Sequence, residues 1–210
     1  MALELLLDPT VQIVTLVGQA GTGKTLMALA AGLQSVVQYR SYDKILVTRP
    51  IMPLGRDIGY LPGAKDEKLI HWMQPIIDNL TFLLRERNGS EETVYPTVQR
   101  KVEEMQQKNL LEMEALTYIR GRSIPRQYVI VDEAQNLTPH EVKTIISRAG
   151  EGTKMVLTGD PYQIDNPYLD SSSNGLTYTA EPLKSELLHG HMTLLRSERS
   201  SLAAAAATLL

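Results

Sequence analysis

Apolar positions in this chain gather into short continuous runs separated by amphipathic stretches. That alternation is expected of strands buried on both faces between covering helices. The run Val11-Gln12-Ile13-Val14-Thr15-Leu16-Val17 predicts a buried strand, and residues 25–39 predict a helix. Residues 45–48 predict a short strand stopped at Arg49-Pro50. Residues 51–64 hold Pro53, Gly55, Gly59, Pro62 and Gly63, and a loop of that length is more often functional than idle. Residues 65–87 predict a helix that Pro75 ends or kinks near its middle. Asn88-Gly89-Ser90 predicts a turn. Residues 97–108 carry charge on most faces and predict a peripheral helix. Residues 113–118 fit a strand or a helix equally well. A strand follows at 128–131. Thr138-Pro139-His140-Glu141 reads as a capping box with proline in the first helical position, opening a helix to Arg148. Further strands are predicted at 154–158 and 192–195, and a C-terminal helix at 198–210, which includes the run Ala203 to Ala207. The sum is an α/β fold, a mainly parallel sheet with helices on both faces. Its length fits one domain over residues 1–210.

Composition narrows the function classes. The 210 residues are 43% hydrophobic, enough for a proper core. A net charge of −3 argues against a globally basic nucleic-acid binder and leaves room for a local basic groove. There are no cysteines, so disulfides and thiolate metal sites are excluded. No run of about 18 apolar residues predicts a membrane span. Met1-Ala2-Leu3-Glu4 lacks the basic start of a secretory signal, so the expected location is cytoplasmic.

The chemistry is concentrated in three segments. Gly18-Gln19-Ala20-Gly21-Thr22-Gly23-Lys24-Thr25 fits the phosphate-loop pattern GxxxxGK[ST] at every fixed position, between a predicted strand and a predicted helix. That context aims backbone N–H groups and a helix N-terminus at one phosphate. Lys24 is expected to reach the β- and γ-phosphates of a nucleotide, and the Thr25 hydroxyl to ligate Mg²⁺. In the second segment, the strand Val129-Ile130-Val131 runs into Asp132 and Glu133, the Walker B arrangement. Asp132 is expected to hold Mg²⁺, and Glu133 to activate the attacking water. In the third, Gln163 of Thr158-Gly159-Asp160-Pro161-Tyr162-Gln163-Ile164 suits sensing of the γ-phosphate or the water. A plain Gly-Asp-Pro turn explains that segment equally well.

Together these segments resemble motifs I, II and III of superfamily 1 helicases. More closely, the chain resembles the PhoH family of phosphate-starvation-inducible ATPases. The likeness begins at Leu5-Leu6-Leu7-Asp8 and the phosphate loop, and runs through Thr48-Arg49-Pro50-Ile51-Met52-Pro53-Leu54-Gly55 and Asp57-Ile58-Gly59-Tyr60-Leu61-Pro62-Gly63. It continues through Trp72-Met73-Gln74-Pro75, Arg120-Gly121-Arg122-Ser123, Asp132-Glu133-Ala134-Gln135-Asn136, Gly159-Asp160-Pro161-Tyr162-Gln163-Ile164 and Ser197-Glu198-Arg199-Ser200. The resemblance implies one RecA-like P-loop core and Mg²⁺-dependent ATP hydrolysis. It also implies a link to single-stranded RNA, with helicase-like activity, and a ring-shaped homo-oligomer such as a hexamer. Family members carry an adenine-reading glutamine upstream of Leu5-Leu6-Leu7-Asp8; it is not in this sequence, so selectivity for ATP over GTP is not carried over. Some members place a PIN nuclease before the core; none is in these residues, so the expectation is an excised ATPase segment or a stripped-down homologue without ribonuclease activity. A superfamily 1 helicase needs two RecA-like domains, and this length holds one.

With one such domain, the nucleotide lies at an edge unless another subunit covers it, and a cation is needed near the transferring phosphoryl group. Arg199 is the first choice for a γ-phosphate contact within the subunit, by its resemblance to the arginine after motif III. Arg120 and Arg122, with Arg49 and Arg56 flanking the long loop, are candidates for a finger given to a neighbour or for RNA phosphate contacts. Each is also explained as a solvated surface arginine. His189 and His191 have no acidic partners beside them and predict no metal site; Trp72 and Met73 predict packing. Two principal readings follow. One is an RNA-acting ATPase working through Lys24, Thr25, Asp132, Glu133 and Gln163. The other is a nucleotide-controlled binding or assembly module with slow hydrolysis. A small-molecule kinase is a third, and predicts an acceptor lid and no Gly-Asp-Pro-x-Gln segment. Glu133 favours the first.

Overall fold

A computed structural model describes residues 1–51, 65–85, 91–119 and 121–197, with side chains given outside 65–71, 91–97, 117 and 118. The chain opens with a short helix α1 (Ala2–Leu7), then β1 (Ile13–Gly18) and α2 (Lys24–Leu33), whose last turn widens to a π-helical segment at Gln34–Gln38. β2 (Lys44–Arg49), α3 (Lys65–Leu84), α4 (Glu91–Gln107), β3 (Leu111–Ala115) and the single turn α5 (Leu116–Ile119) follow. The remainder is β4 (Gln127–Val131), α6 (Pro139–Ile146), β5 (Lys154–Gly159), α7 (Gly175–Leu183) and β6 (His189–Leu194). The strands form one sheet in the order β3-β2-β4-β5-β1-β6, and every pairing is parallel.

Strand alternation sorts the core into two layers. Val14, Leu16, Ile45, Val47, Tyr128, Ile130 and Val156 pack under α1 to α4, with Leu6, Leu29, Met73, Ile76 and Val98. Ile13, Leu46, Val129, Val131, Met155 and Leu157 pack under α5 to α7, with Ile119, Val142, Ile145 and Leu176. Both faces are covered, as a parallel sheet requires. The buried Lys154 ties the N-terminal segment to the sheet: its Nζ donates to the carbonyls of Leu5, Asp8 and Val11 at 2.9, 2.7 and 2.7 Å. Among the described residues, no helix is long and apolar enough to cross a membrane.

Several expectations are corrected. Pro75 does not end its helix; α3 continues to Leu84, because Met73, Ile76 and Leu80 on one face are all buried. That anchoring outweighs the one backbone bond a proline forfeits. The polar helix begins at Glu91 and is not peripheral, since Val98, Val102 and Met105 form a narrow apolar stripe at helical spacing. The ambiguous segment is both things in turn, strand to Ala115 and helix from Leu116. α7, unforeseen, starts at Asn174, whose side chain accepts from Thr177 N at 3.0 Å. The last strand begins at His189 rather than at residue 192. The turn at 88–90, the C-terminal helix, and all but Ile51 of the long loop lie outside the described residues.

The Thr138 capping box is present in full: Glu141 N donates to Thr138 Oγ1 at 3.2 Å and Thr138 N to Glu141 Oε2 at 3.0 Å. Thr138→Ala is expected to lower stability by about 1 kcal/mol. The readout is a lower urea midpoint with an unchanged m-value.

Candidate active site

β4, β5 and β1 are neighbours, so their carboxyl ends bring the Walker B acids, residues 158–160 and the phosphate loop to one edge of the sheet. The connection from β1 to β2 passes over β5 and β4, and ligands of open α/β sheets bind at such a switch in strand order. Gly23 sits in the left-handed region (φ 80°) and ends the loop where α2 begins at Lys24. A Cβ at Gly18 would lie 2.6 Å from the Leu194 carbonyl oxygen of β6, so only glycine fits there. Lys24 Nζ donates to the carbonyls of Gly18 at 2.6 Å and Gln19 at 3.0 Å, across the mouth of its own loop. Thr22 Oγ1 donates to Gln19 O at 2.8 Å and braces the loop.

Asp132 is 4% exposed. Its Oδ1 accepts from Thr25 Oγ1 at 2.7 Å and from Thr158 Oγ1 at 2.6 Å. Glu133 follows in the left-handed conformation (φ 55°, ψ 40°), which costs a non-glycine residue on the order of 1 kcal/mol. This sharp turn breaks the strand's alternation and brings both acids to one side. Burial first, then the Asp132 carboxylate, push the Glu133 carboxyl above its ordinary range; Gln135, Arg49 and Lys24 oppose this.

Both Glu133 oxygens are engaged. Gln135 Nε2 donates to Oε2 at 2.5 Å, and Arg49 Nη2 lies 3.4 Å from Oε1. Gln135, 1% exposed, also donates to the Gln163 carbonyl at 2.9 Å and accepts from Asp160 N at 3.2 Å. All the hydrogen-bonding capacity of its amide nitrogen is therefore used within the cleft. Arg49 reaches further, with Nε 3.7 Å from Asp132 Oδ2 and Nη1 donating to the Trp72 carbonyl at 3.4 Å.

A cleft of about 300 Å³ is lined by Ala20, Gly21, Gly23, Lys24, Thr25, Asn79, Glu133, Asp160 and Gln163. A larger cavity of about 730 Å³ lies between α2, α3 and α4, away from these groups. The phosphate-loop residues, Glu133 and Gln163 thus share one cleft, with Asp132 beneath. Gln135, Thr158, Asp160 and Asn79 were not anticipated as site residues. Gln135, Thr158 and Asp160 stood inside recognised segments, and Asn79 had no local signal.

Arg56, Arg120 and Arg199 lie outside the described residues. Arg122 is tied to Glu114 at 2.6 Å and Glu112 at 3.2 Å, and Lys44 also pairs with Glu112. Burial, then neighbouring Glu112, push the Glu114 carboxyl up to about 7. His189 Nε2 and His191 Nδ1 lie 3.0 and 2.7 Å from Thr15 Oγ1, which occupies both rings within the sheet.

Gln135→Ala is expected to reduce kcat between about tenfold and a hundredfold, the worth of one bond to a charged group, with KM nearly unchanged. Steady-state kinetics checks this, and an unchanged kcat would remove Gln135 from the account.

A family model described as PhoH-like protein matches residues 2–207. The chain is 55% identical to Protein PhoH2 of Bacillus subtilis, over 100% of this chain and 46% of that protein. It is 43% identical to Protein PhoH2 of Mycolicibacterium smegmatis, over 97% of this chain and 44% of that protein. The chain thus spans about half the length of these curated relatives. Solved structures similar to it include the Pif1 helicase from Candida albicans (TM-score 0.44, 17% identity, 93% of this chain and 38% of that one). Another is the Hef helicase domain from Pyrococcus furiosus (TM-score 0.46, 13% identity, 93% and 37%). The parallel sheet, the phosphate loop at the end of β1 and the match across almost the whole length agree: this chain is a P-loop NTPase of the PhoH family.

Proposed function

We propose that the chain hydrolyses ATP with Mg²⁺ and couples turnover to single-stranded RNA within a homo-oligomer. The observation that carries this is the joining of Thr25 to Asp132 at 2.7 Å beside Glu133, in the cleft that holds Lys24 and Gln163. Hydroxyl and carboxylate oxygens form a donor set that suits Mg²⁺, so Thr25 and Asp132 would hold it. Bound there, the cation supplies charge neutralisation at the phosphate oxygens. Lys24 would leave its loop carbonyls for the β- and γ-phosphates. Glu133 takes a proton from water as the water oxygen bonds to the γ-phosphorus. The bond from that phosphorus to the bridging oxygen breaks, and ADP and inorganic phosphate leave. Gln163 would orient the water or the γ-phosphate, and Arg199 would stabilise the transferring group. The RNA and oligomer elements rest on the family likeness; one domain with an edge-lying cleft supports the latter.

The engagement of both Glu133 oxygens favours a second reading, a nucleotide-controlled binding module with slow hydrolysis. Phosphate release separates the classes, since only the first expects turnover that rises with RNA, and anisotropy of labelled polyuridylate tests the RNA element. The proposal expects RNA affinity to differ at least severalfold between the chain loaded with a non-hydrolysable ATP analogue and with ADP. No RNA binding in any nucleotide state would remove the RNA element.

A further inference from the structure

Glu133 is held by two groups of unlike permanence. Gln135 is buried and fixed by three bonds, one to Glu133 and two to Asp160 N and the Gln163 carbonyl beyond β5. Arg49 comes from the end of β2, across a strand boundary, and its side chain is 21% exposed. It stands 3.4 Å from Glu133 and 3.7 Å from Asp132, long for charged pairs, and its guanidinium is shared between them. It also lies on the far side of β4 from β1, and it does not line the cleft holding Lys24 and Thr25. Its position therefore suits control of the acids better than contact with the nucleotide's phosphates.

A general base must offer a free lone pair, aimed at the water whose proton it takes. A guanidinium beside Glu133 Oε1 turns that oxygen away from this task. A partly exposed arginine in long bonds is also the kind of group that a phosphate diester can capture with two short ones.

We propose that Arg49 is a positioning residue that parks Glu133 in an inactive arrangement, and that an RNA backbone phosphate drawing off its guanidinium frees the glutamate for hydrolysis. This rests on the ATPase reading above and gives that site its regulation. Gln135 keeps the freed carboxylate aimed at the cleft. Arg49 acts through Glu133 and forms no bond to the reacting atoms.

The test is phosphate release from Mg·ATP by the full chain, with and without polyuridylate, for wild type, Arg49→Ala, Arg49→Gln and Arg49→Lys. Affinity for a fluorescent non-hydrolysable ATP analogue is measured alongside. Arg49→Ala is expected to raise RNA-free kcat roughly tenfold, the worth of one charged contact, with KM and analogue affinity nearly unchanged. RNA then adds little further, and Arg49→Lys, retaining the charge without the fork, falls between. RNA-free turnover at or below wild type, with analogue binding intact, overturns the proposal. If the alanine variant loses analogue binding, the glutamine variant decides by the same criterion. A rise in the variants with no RNA effect on wild type would keep the parked glutamate and discard RNA as its release. Absence of turnover in wild type and all variants would overturn both.

Discussion

Glu133→Gln is expected to bind Mg·ATP about as tightly as wild type and to hydrolyse it about 10²- to 10⁴-fold more slowly, the range for loss of a general base. The change is nearly isosteric, and Lys24 keeps its bonds to the Gly18 and Gln19 carbonyls. Thr25 and Thr158 still donate to Asp132, and Gln135 keeps Asp160 N and the Gln163 carbonyl as partners. The capacity to accept water's proton disappears, and with it the charge that pairs with Arg49. Burial beside Asp132 raises the carboxyl and so makes Glu133 a stronger base than a surface glutamate. Single-turnover phosphate release, with nucleotide affinity measured separately, reads this split. Wild-type turnover in the variant would take the water-activating role away from Glu133.

The second large effect is on stability. Lys154→Met is expected to destabilise the fold by about 2–4 kcal/mol, because three carbonyls, one buried and two part-buried, each lose a charge-assisted partner. Lys154 is 1% exposed, and its ammonium bridges Leu5, Asp8 and Val11. Burial draws it down to about 8, against the pull of Asp8, so at pH 7 it stays protonated and can donate all three bonds. Methionine fills a similar volume, so a cavity contributes little. Relief of the buried charge offsets part of the loss. Urea unfolding measures the total. Hydrogen exchange at α1 and residues 8–12 should rise most, since that is the segment Lys154 holds. A loss below about 1 kcal/mol would mean these bonds add little to the burial of Leu6.

The strands were legible because both faces of the sheet are covered. Residues such as Val129, Ile130 and Val131 are all buried, and the sequence there is an unbroken apolar run. The phosphate loop was legible because its geometry admits few residues, as the positive φ of Gly23 and the close approach at Gly18 make plain. Less was visible where tertiary contact decides. α7 escaped notice because its cap, Asn174, follows a serine-rich turn and Pro182 sits within the helix. α4 looked peripheral because a stripe of Val98, Val102 and Met105 is narrow among charges. In the site, Asp132 and Glu133 declared themselves by position, whereas Gln135 did not, since its role depends on residues 28 apart meeting through one amide. Arg49 was one arginine among several candidates. Only the pairing of β2 with β4 sets it against the two acids.

The central claim is hydrolysis at a cleft that RNA controls. Phosphate release from Mg·ATP, followed over a titration of polyuridylate, tests it most directly. The account predicts slow turnover by the chain alone and a saturable rise with RNA that Glu133→Gln abolishes. Turnover that ignores RNA, or that survives in Glu133→Gln, would contradict it.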